Sequence, residues 1–363
     1  MYFFLITLLL TFSVSLIMVP LVINFANKIG AVDIPNGRKV HKQAVPRIGG
    51  VAIYIAYVTG FVLISLFEDL NFSILLAASI IFITGFIDDI CQIKPWQKLI
   101  GQCFAAVMVL IDGLYINFLT IPFMEQSIPV SAWIAIPISF IWIIGITNAV
   151  NLIDGLDGLA SGVSIIASTS IFIMALLTGN IEVALLSMAL IGSTFGFLLF
   201  NFHPAKIFMG DTGSLLLGFL LSVHSLISFK QVTFITFIIP VLILAVPIVD
   251  TTVAIVRRKV NKKRIMEPDK NHLHHRLLDS GFSHRRAVIF IYFISIFFGT
   301  AAIFLYKANL LTSIFIFILV LLLIEMLIEV FGLVSKDYKP LINLYNRINL
   351  NKANVRKDKN TQF

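Results

Sequence analysis

The stretch MYFFLITLLLTFSVSLIMVPLVI, residues 1–23, contains not one charged side chain. A run of that length suits a bilayer crossing, which takes roughly 17–25 apolar residues. A secretory leader would open with a basic segment and close on small residues at a cleavage site, and this stretch has neither. It reads as a first transmembrane helix. The rest of the chain keeps the same character. Of 363 residues, 58% are hydrophobic and only 13% charged, with a mean hydropathy of +0.97. Soluble domains carry about a quarter charged residues, so the length is to be counted in spans.

Working outward from residues 2–26, further apolar runs occupy 48–67, 72–87, 99–117, 131–150, 160–178, 183–200, 213–229, 233–254, 288–306 and 310–333. The expectation is an all-α polytopic membrane protein with about 11 transmembrane helices. An odd number puts the two ends on opposite sides. Taking loop 27–47 as cytoplasmic fixes every other loop by alternation, and of the 27 Lys and Arg only Lys230 and Lys307 then fall outside. That asymmetry sets the N-terminus outside and the C-terminus in the cytoplasm. Residues 1–333 form the membrane domain with cytoplasmic loops, and 334–363 a polar, basic cytoplasmic tail. The same bias accounts for the net charge of +8 without nucleic acid. Cys91 and Cys103 are too few for a disulfide framework or a zinc site.

The acids carry the chemistry. Asp88 and Asp89 close the third span, Asp154 and Asp157 follow the fifth, and Asp211 follows the seventh. All fall on the cytoplasmic side of the layout. A single Asp at a helix end reads as a solvated cap, but five carboxylates on one rim repel unless a cation sits among them. Asn151, Asp154 and Asp157 stand at i, i+3 and i+6, a spacing that would put them on one helical face. Phe208-Met-Gly-Asp211-Thr-Gly-Ser214 has the look of a glycine-rich phosphate or metal turn. The loop 255–287 contains His272-Leu-His274-His275-Arg276. Three His in four residues suit a metal or a phosphate; with no Cys beside them and Arg285 and Arg286 nearby, anion binding is the better reading. Asp250, inside the ninth span, is an intramembrane acid that lines a lipid groove or orients a basic partner.

These pieces, with Asp33-x-Pro-Asn-x-Arg38-Lys39-x-His41, Pro46-Arg47-x-Gly49-Gly50 and Lys98, run in order from residue 33 to 276. The chain thereby resembles the polyprenyl-phosphate N-acetylhexosamine-1-phosphate transferases, the WecA/MraY-like superfamily. The resemblance implies a multi-span helical enzyme of the bacterial inner membrane with a cytoplasmic active site, a UDP-sugar donor and a polyprenyl phosphate acceptor. It implies Mg²⁺, with Mn²⁺ as a substitute, held by Asp211 with Asn151 or a neighbouring acid. Asp88, Asp89 and Lys98 resemble the catalytic group, which positions or deprotonates the lipid phosphate and contacts phosphate. Asp154 and Phe208 resemble the groups that hydrogen-bond and stack on uracil, within a substrate-binding set that includes Asn151 and Asp157. His272, His274, His275 and Arg276 resemble the donor-phosphate and sugar loop. Their His-Leu-His-His-Arg form is similar to the N-acetylglucosamine branch rather than the muramoyl-pentapeptide branch. A homodimer stays open.

An acceptor phosphate has its second pKa near 6, so most of it already bears the attacking oxyanion. Asp88 or Asp89 is therefore expected to place metal and acceptor more than to remove a proton. Among other classes, a secondary transporter would keep its ionisable groups near the midplane, and a scaffold would not need clustered acids.

Overall fold

The computed structural model describes residues 2–33, 44–116, 118–120, 127–228, 234–262, 271–335 and 338–343. The motif residues Arg38, Lys39 and His41, the acidic start of the His loop at Glu267 and Asp269, and most of the expected tail 334–363 lie outside them.

The chain is nearly all helix. In order, the helices are α1 (Tyr2–Ile29), α2 (Gly50–Ser65), α3 (Phe72–Cys91), α4 (Pro95–Ile111), α5 (Ala132–Ile153), α6 (Leu159–Thr178), α7 (Ile181–Asn201), α8 (Gly210–Ser228), α9 (Phe234–Ile243), α10 (Ala245–Val260), α11 (Leu273–Asp279), α12 (His284–Lys307) and α13 (Leu310–Val330). Two antiparallel pairs interrupt the all-α pattern: β1 (Val32–Asp33) with β2 (Val45–Pro46), and β3 (Phe118–Thr120) with β4 (Ser127–Pro129). Asparagine side chains start three of the long helices. Asn71, Asn180 and Asn309 accept from the backbone N–H of Ser73, Val183 and Thr312, satisfying donors that have no carbonyl partner.

Eight helices are long and apolar enough to cross a membrane: α1, α3, α5, α6, α7, α8, α12 and α13. Each matches one of the expected runs. The runs 48–67 and 99–117 become the shorter apolar helices α2 and α4. The run 233–254, expected as one span, is instead broken at Leu244 into α9 and α10. The cause is Pro247, which has no N–H to offer the Ile243 carbonyl and whose ring crowds it.

Helix α8 is the axis of the bundle. In its most apolar 18-residue window 89% of residues are buried, against 17% for α13 at the periphery. Around α8 pack α2, α3, α5 and α6, with α1 and α7 completing one side and α12 covering α6 and α9. Glycine permits the close crossings that bring functional groups together. A Cβ on Gly50 would run into the backbone of Gly213, so α2 and α8 touch main chain to main chain. Buried polar groups find one another: Gln102 pairs with Asn148 at 2.7 Å, and Tyr57 Oη lies 3.1 Å from His224 Nε2. Without water in the hydrocarbon layer, internal pairing is how such groups are satisfied.

Candidate functional site

The site begins at the N-terminus of α8. Residues 46–50 run alongside 208–209, with Phe208 N–H donating to Pro46 O at 2.7 Å and Gly49 and Gly50 N–H donating to Phe208 and Met209 O at 3.0 and 2.9 Å. The chain then turns at Gly210, φ +70°, where a Cβ would strike the Arg47 carbonyl and the Asp89 carboxylate. Only glycine fits there.

Asp89, 5% exposed, reaches across from α3 to cap α8. Its Oδ1 accepts from Asp211 N–H at 3.0 Å, and its Oδ2 from Thr212 N–H at 2.9 Å and from the Thr212 hydroxyl. Negative charge at a helix N-terminus is favoured by the helix dipole as well as by the orphan donors. Arg47 in turn donates through Nε to the Asp89 carbonyl at 2.7 Å, tying the 46–50 segment to α3.

Asp88, the adjacent residue, faces elsewhere. Lys98 Nζ, from the first turn of α4, lies 3.1 Å from Asp88 Oδ2 and 2.7 Å from Asp211 Oδ2. Carboxylate oxygens of Asp88, Asp89 and Asp211 all fall within 4.8 Å of one another. Three carboxylates from two helices far apart in sequence thus converge, with one ammonium among them. The oxygen-only donor set suits a hard cation such as Mg²⁺.

Beside this cluster opens a cavity of about 820 Å³, lined by Asp89, Asp211, Asn151, Asp154, Asp157, Phe208 and His275 among others. That volume lies within the range of small-molecule and cofactor sites. Asn151 Nδ2 donates to Ser214 Oγ at 2.8 Å, and Ser214 Oγ donates to Gly210 O at 3.0 Å, binding α5 to the α8 turn. The expected single helical face for Asn151, Asp154 and Asp157 does not form. α5 ends at Ile153, Asp154 is its C-cap, and Gly158 at φ +80° starts α6. The glycines that let a ligand approach also stop the helix, and Asp157 points by way of a turn. Burial, followed by the negative charges of Asp211, Asp89 and Asp157, pushes the Asp154 carboxyl up to about 7.

Asp157 is held by residues that no spacing in the sequence singled out. Its Oδ2 accepts from His203 Nδ1 at 2.7 Å and Ala205 N–H at 3.1 Å, and its own N–H donates to His284 Nε2 at 2.9 Å. The His203 and His284 rings stack at 4.1 Å. His203 stands eight residues before Asp211, and that proximity was the one signal available.

The His loop divides into two parts. Asp250, expected inside a span, accepts from His272 Nδ1 and from Leu273 N–H, both at 2.8 Å, and so caps α11 and fixes His272. His274 is 3% exposed and its ring presses on Gly155 so closely that a Cβ there would collide with it. Burial above all, then the neighbouring His275, pushes His274 down to about 3, so it stays neutral. Of the four residues in this motif, only His275 lines the cavity. Arg276 is half-buried, and its Nε has no hydrogen-bond partner among the described residues.

Eight long apolar helices mark a multi-pass membrane protein, and the acid-rimmed cavity opens where several of them end. The sequence pattern of glycosyl transferase family 4 matches residues 71–229, which include Asp88, Asp89, Lys98, Asp154, Asp157 and Asp211. A probable undecaprenyl-phosphate N-acetylglucosaminyl 1-phosphate transferase of Bacillus subtilis (strain 168) is 45% identical over 335 residues, covering 92% of this chain and 93% of that protein. The decaprenyl-phosphate N-acetylglucosaminephosphotransferase of Mycolicibacterium smegmatis is 36% identical over 303 residues, 74% of this chain and 73% of that one. A phospho-N-acetylmuramoyl-pentapeptide-transferase of Halalkalibacterium halodurans is 34% identical over 325 residues, 83% of this chain and 97% of that one. The chain belongs to the polyprenyl-phosphate N-acetylhexosamine-1-phosphate transferases of glycosyl transferase family 4.

Proposed function

We propose that the protein transfers N-acetylglucosamine 1-phosphate from UDP-N-acetylglucosamine to undecaprenyl phosphate at the cytoplasmic face of the inner membrane, with Mg²⁺ as cofactor. The distribution of Lys and Arg supports that face, together with eleven crossings, an outer N-terminus and a cytoplasmic C-terminus. The N-acetylglucosaminyl transferase of Bacillus subtilis matches more closely than the pentapeptide transferase, 45% against 34% identity, which favours the N-acetylglucosamine donor.

One observation carries the reading: Asp88, Asp211 and Lys98 meet beside a cavity where, among the described lining residues, the carboxylates Asp33, Asp89, Asp154, Asp157 and Asp211 outnumber the one arginine, Arg47. A diphosphate would be repelled from such a place unless a cation came with it. Asp211 and Asp88 would hold the ion, with Asn151 close by. When bound, Mg²⁺ neutralises the diphosphate and stabilises the departing UMP. The chain's own groups supply the rest by position and electrostatics. Phe208 and Asp154 receive uracil, His275 faces the diphosphate, and Lys98 meets the acceptor phosphate. An acceptor oxygen attacks the sugar-bearing phosphorus, one P–O bond forms, and the bridging P–O bond to UMP breaks. One phosphoanhydride replaces another, so the step is close to reversible.

Purified protein with polyprenyl phosphate, Mg²⁺ and a panel of UDP-sugars tests this. UMP release with UDP-N-acetylglucosamine and its loss in EDTA are expected. Release only with UDP-N-acetylmuramoyl-pentapeptide would reassign the donor, and no release with any sugar would end the proposal.

A further inference from the structure

We infer that the Lys98 ammonium holds the place of the divalent cation between Asp88 and Asp211, and gives it up when the ion arrives. This rests on the reading of those two carboxylates as the metal-holding pair. Nζ lies 2.7 Å from Asp211 Oδ2 and 3.1 Å from Asp88 Oδ2, the position a bridging cation needs. The two acids come from different helices, α3 and α8, and the groups of this cluster lie within 4.8 Å of one another. At such separation the mutual repulsion of two carboxylates is relieved by a positive partner, which the ammonium supplies.

Asp89 does not compete for that role, because its oxygens already accept three hydrogen bonds from the start of α8. The acids free to exchange partners are therefore Asp88 and Asp211, and both are occupied by the same ammonium. A metal ion bound to these oxygens at about 2.1 Å would leave Nζ no room at its present distances, and the two cations would repel. Lysine suits an exchangeable counterion, since its charge is a point at the end of a flexible four-carbon stem. Lys98 is rooted on the first turn of α4 with its side chain 23% exposed, so solvent reaches its stem. Released, the ammonium is set free for substrate phosphate only after the metal is in place. Metal loading and phosphate binding then follow in that order.

The inference has an unusual sign. Were Lys98 merely part of the scaffold of the metal site, removing it would weaken metal binding. As a rival for the same oxygens, its removal strengthens binding. Full-length protein in detergent, without nucleotide or lipid, is titrated with Mn²⁺ alone, and free Mn²⁺ is read by electron paramagnetic resonance. Lys98→Met and Lys98→Gln are both expected to bind Mn²⁺ about tenfold more tightly than the wild type, about 1.4 kcal/mol. Using both variants guards against a packing fault in one. Lys94→Met, an exposed lysine at the same helix end, is expected to leave the affinity unchanged. Unchanged or weaker binding in both Lys98 variants overturns the inference, as does equal tightening in Lys94→Met, which would mean a general charge effect. Asp211→Asn is expected to abolish binding. If it does not, the metal reading of the pair fails as well, so the two failures are distinguishable.

Discussion

Asp89→Asn separates holding the site from doing chemistry in it. The wild-type carboxylate accepts from Asp211 N–H, Thr212 N–H and the Thr212 hydroxyl while 5% exposed. An amide keeps one oxygen. If that oxygen stays with Thr212, the amide NH₂ faces the Asp211 N–H, donor against donor. One charge-assisted hydrogen bond is lost, at roughly 1.5–3 kcal/mol, and the favourable charge at the α8 N-terminus goes with it, at roughly 0.3–1 kcal/mol. The sum is about 2–4 kcal/mol, which at about 2 °C per kcal/mol for a large chain is a fall in Tm of about 4–8 °C. Asp88→Asn removes no such cap. It loses part of a partly exposed contact with Lys98 and relieves repulsion from Asp211, so its Tm is expected to stay within about 2 °C of wild type. Both variants are expected to lose at least tenfold in UMP release, Asp89→Asn because Asp211 shifts with the first turn of α8. Thermal unfolding in detergent, paired with the activity assay, reads both. An Asp89→Asn protein with wild-type Tm and no activity would refute the capping role and return Asp89 to the reaction itself.

Gly210→Ala is expected to lower both Tm and activity, the latter more than tenfold, since φ +70° and the crowding by Arg47 O and Asp89 leave no space for a methyl group; a folded, active alanine variant would contradict this. Asp250→Ala leaves His272 and the start of α11 without their acceptor, at about 2–4 kcal/mol for a buried charged cap. A raised donor KM and partial rescue by Asp250→Asn are expected, and an unaltered KM would detach α11 from the donor site. His274 gives a pH effect of definite sign. Its folded pKa near 3 lies below the ordinary 6.5, so the unfolded chain takes up a proton that the folded one refuses. Stability is full above pH 6.5 and falls as the pH drops, by roughly 2 kcal/mol between 6.5 and 5 at about 1.4 kcal/mol per unit. Tm measured against pH is therefore expected to decline less steeply in His274→Gln, and parallel curves would refute the neutral, buried assignment.

The fold was legible wherever a local rule sufficed. Long apolar runs such as Phe72–Ile87 declare a helix by composition alone, and the structure has helices where eight such runs stand. The ninth run is helical but in two pieces, because apolar composition says nothing of a missing N–H, and Pro247 breaks the helix inside a stretch that is otherwise hydrophobic. At the site, the family pattern names Asp88, Asp211 and Lys98 each separately, for catalysis, metal and phosphate, and the structure brings the three together. The family pattern could not say which oxygens remain available once the backbone has taken its share. Asp89 goes to the α8 donors, and His272 and His274 go to Asp250 and Gly155, leaving His275 for the cavity. His203 and His284 were invisible because they meet Asp157 only through tertiary packing, from residues 46 and 127 positions away.

Adjacency itself explains how two neighbouring aspartates come to different duties. Successive residues on an α-helix point about 100° apart, so Asp88 and Asp89 reach the start of α8 from different sides and take different partners there. With Gly85 on α3 lying so close to α8 that a Cβ there would meet the Asp211 backbone, the helix contact fixes the rotation of α3. That rotation turns Asp89 into the interface, where only a hydrogen-bonded carboxylate is tolerated, and it turns Asp88 toward α4 and Lys98. The same contact sets the distance between Asp88 and Asp211. A larger residue at position 85 would push α3 away, lengthen the Asp89 cap and spread Asp88 and Asp211 in a single movement. The spacing of the rim carboxylates is thus governed from inside the bundle, by a buried glycine.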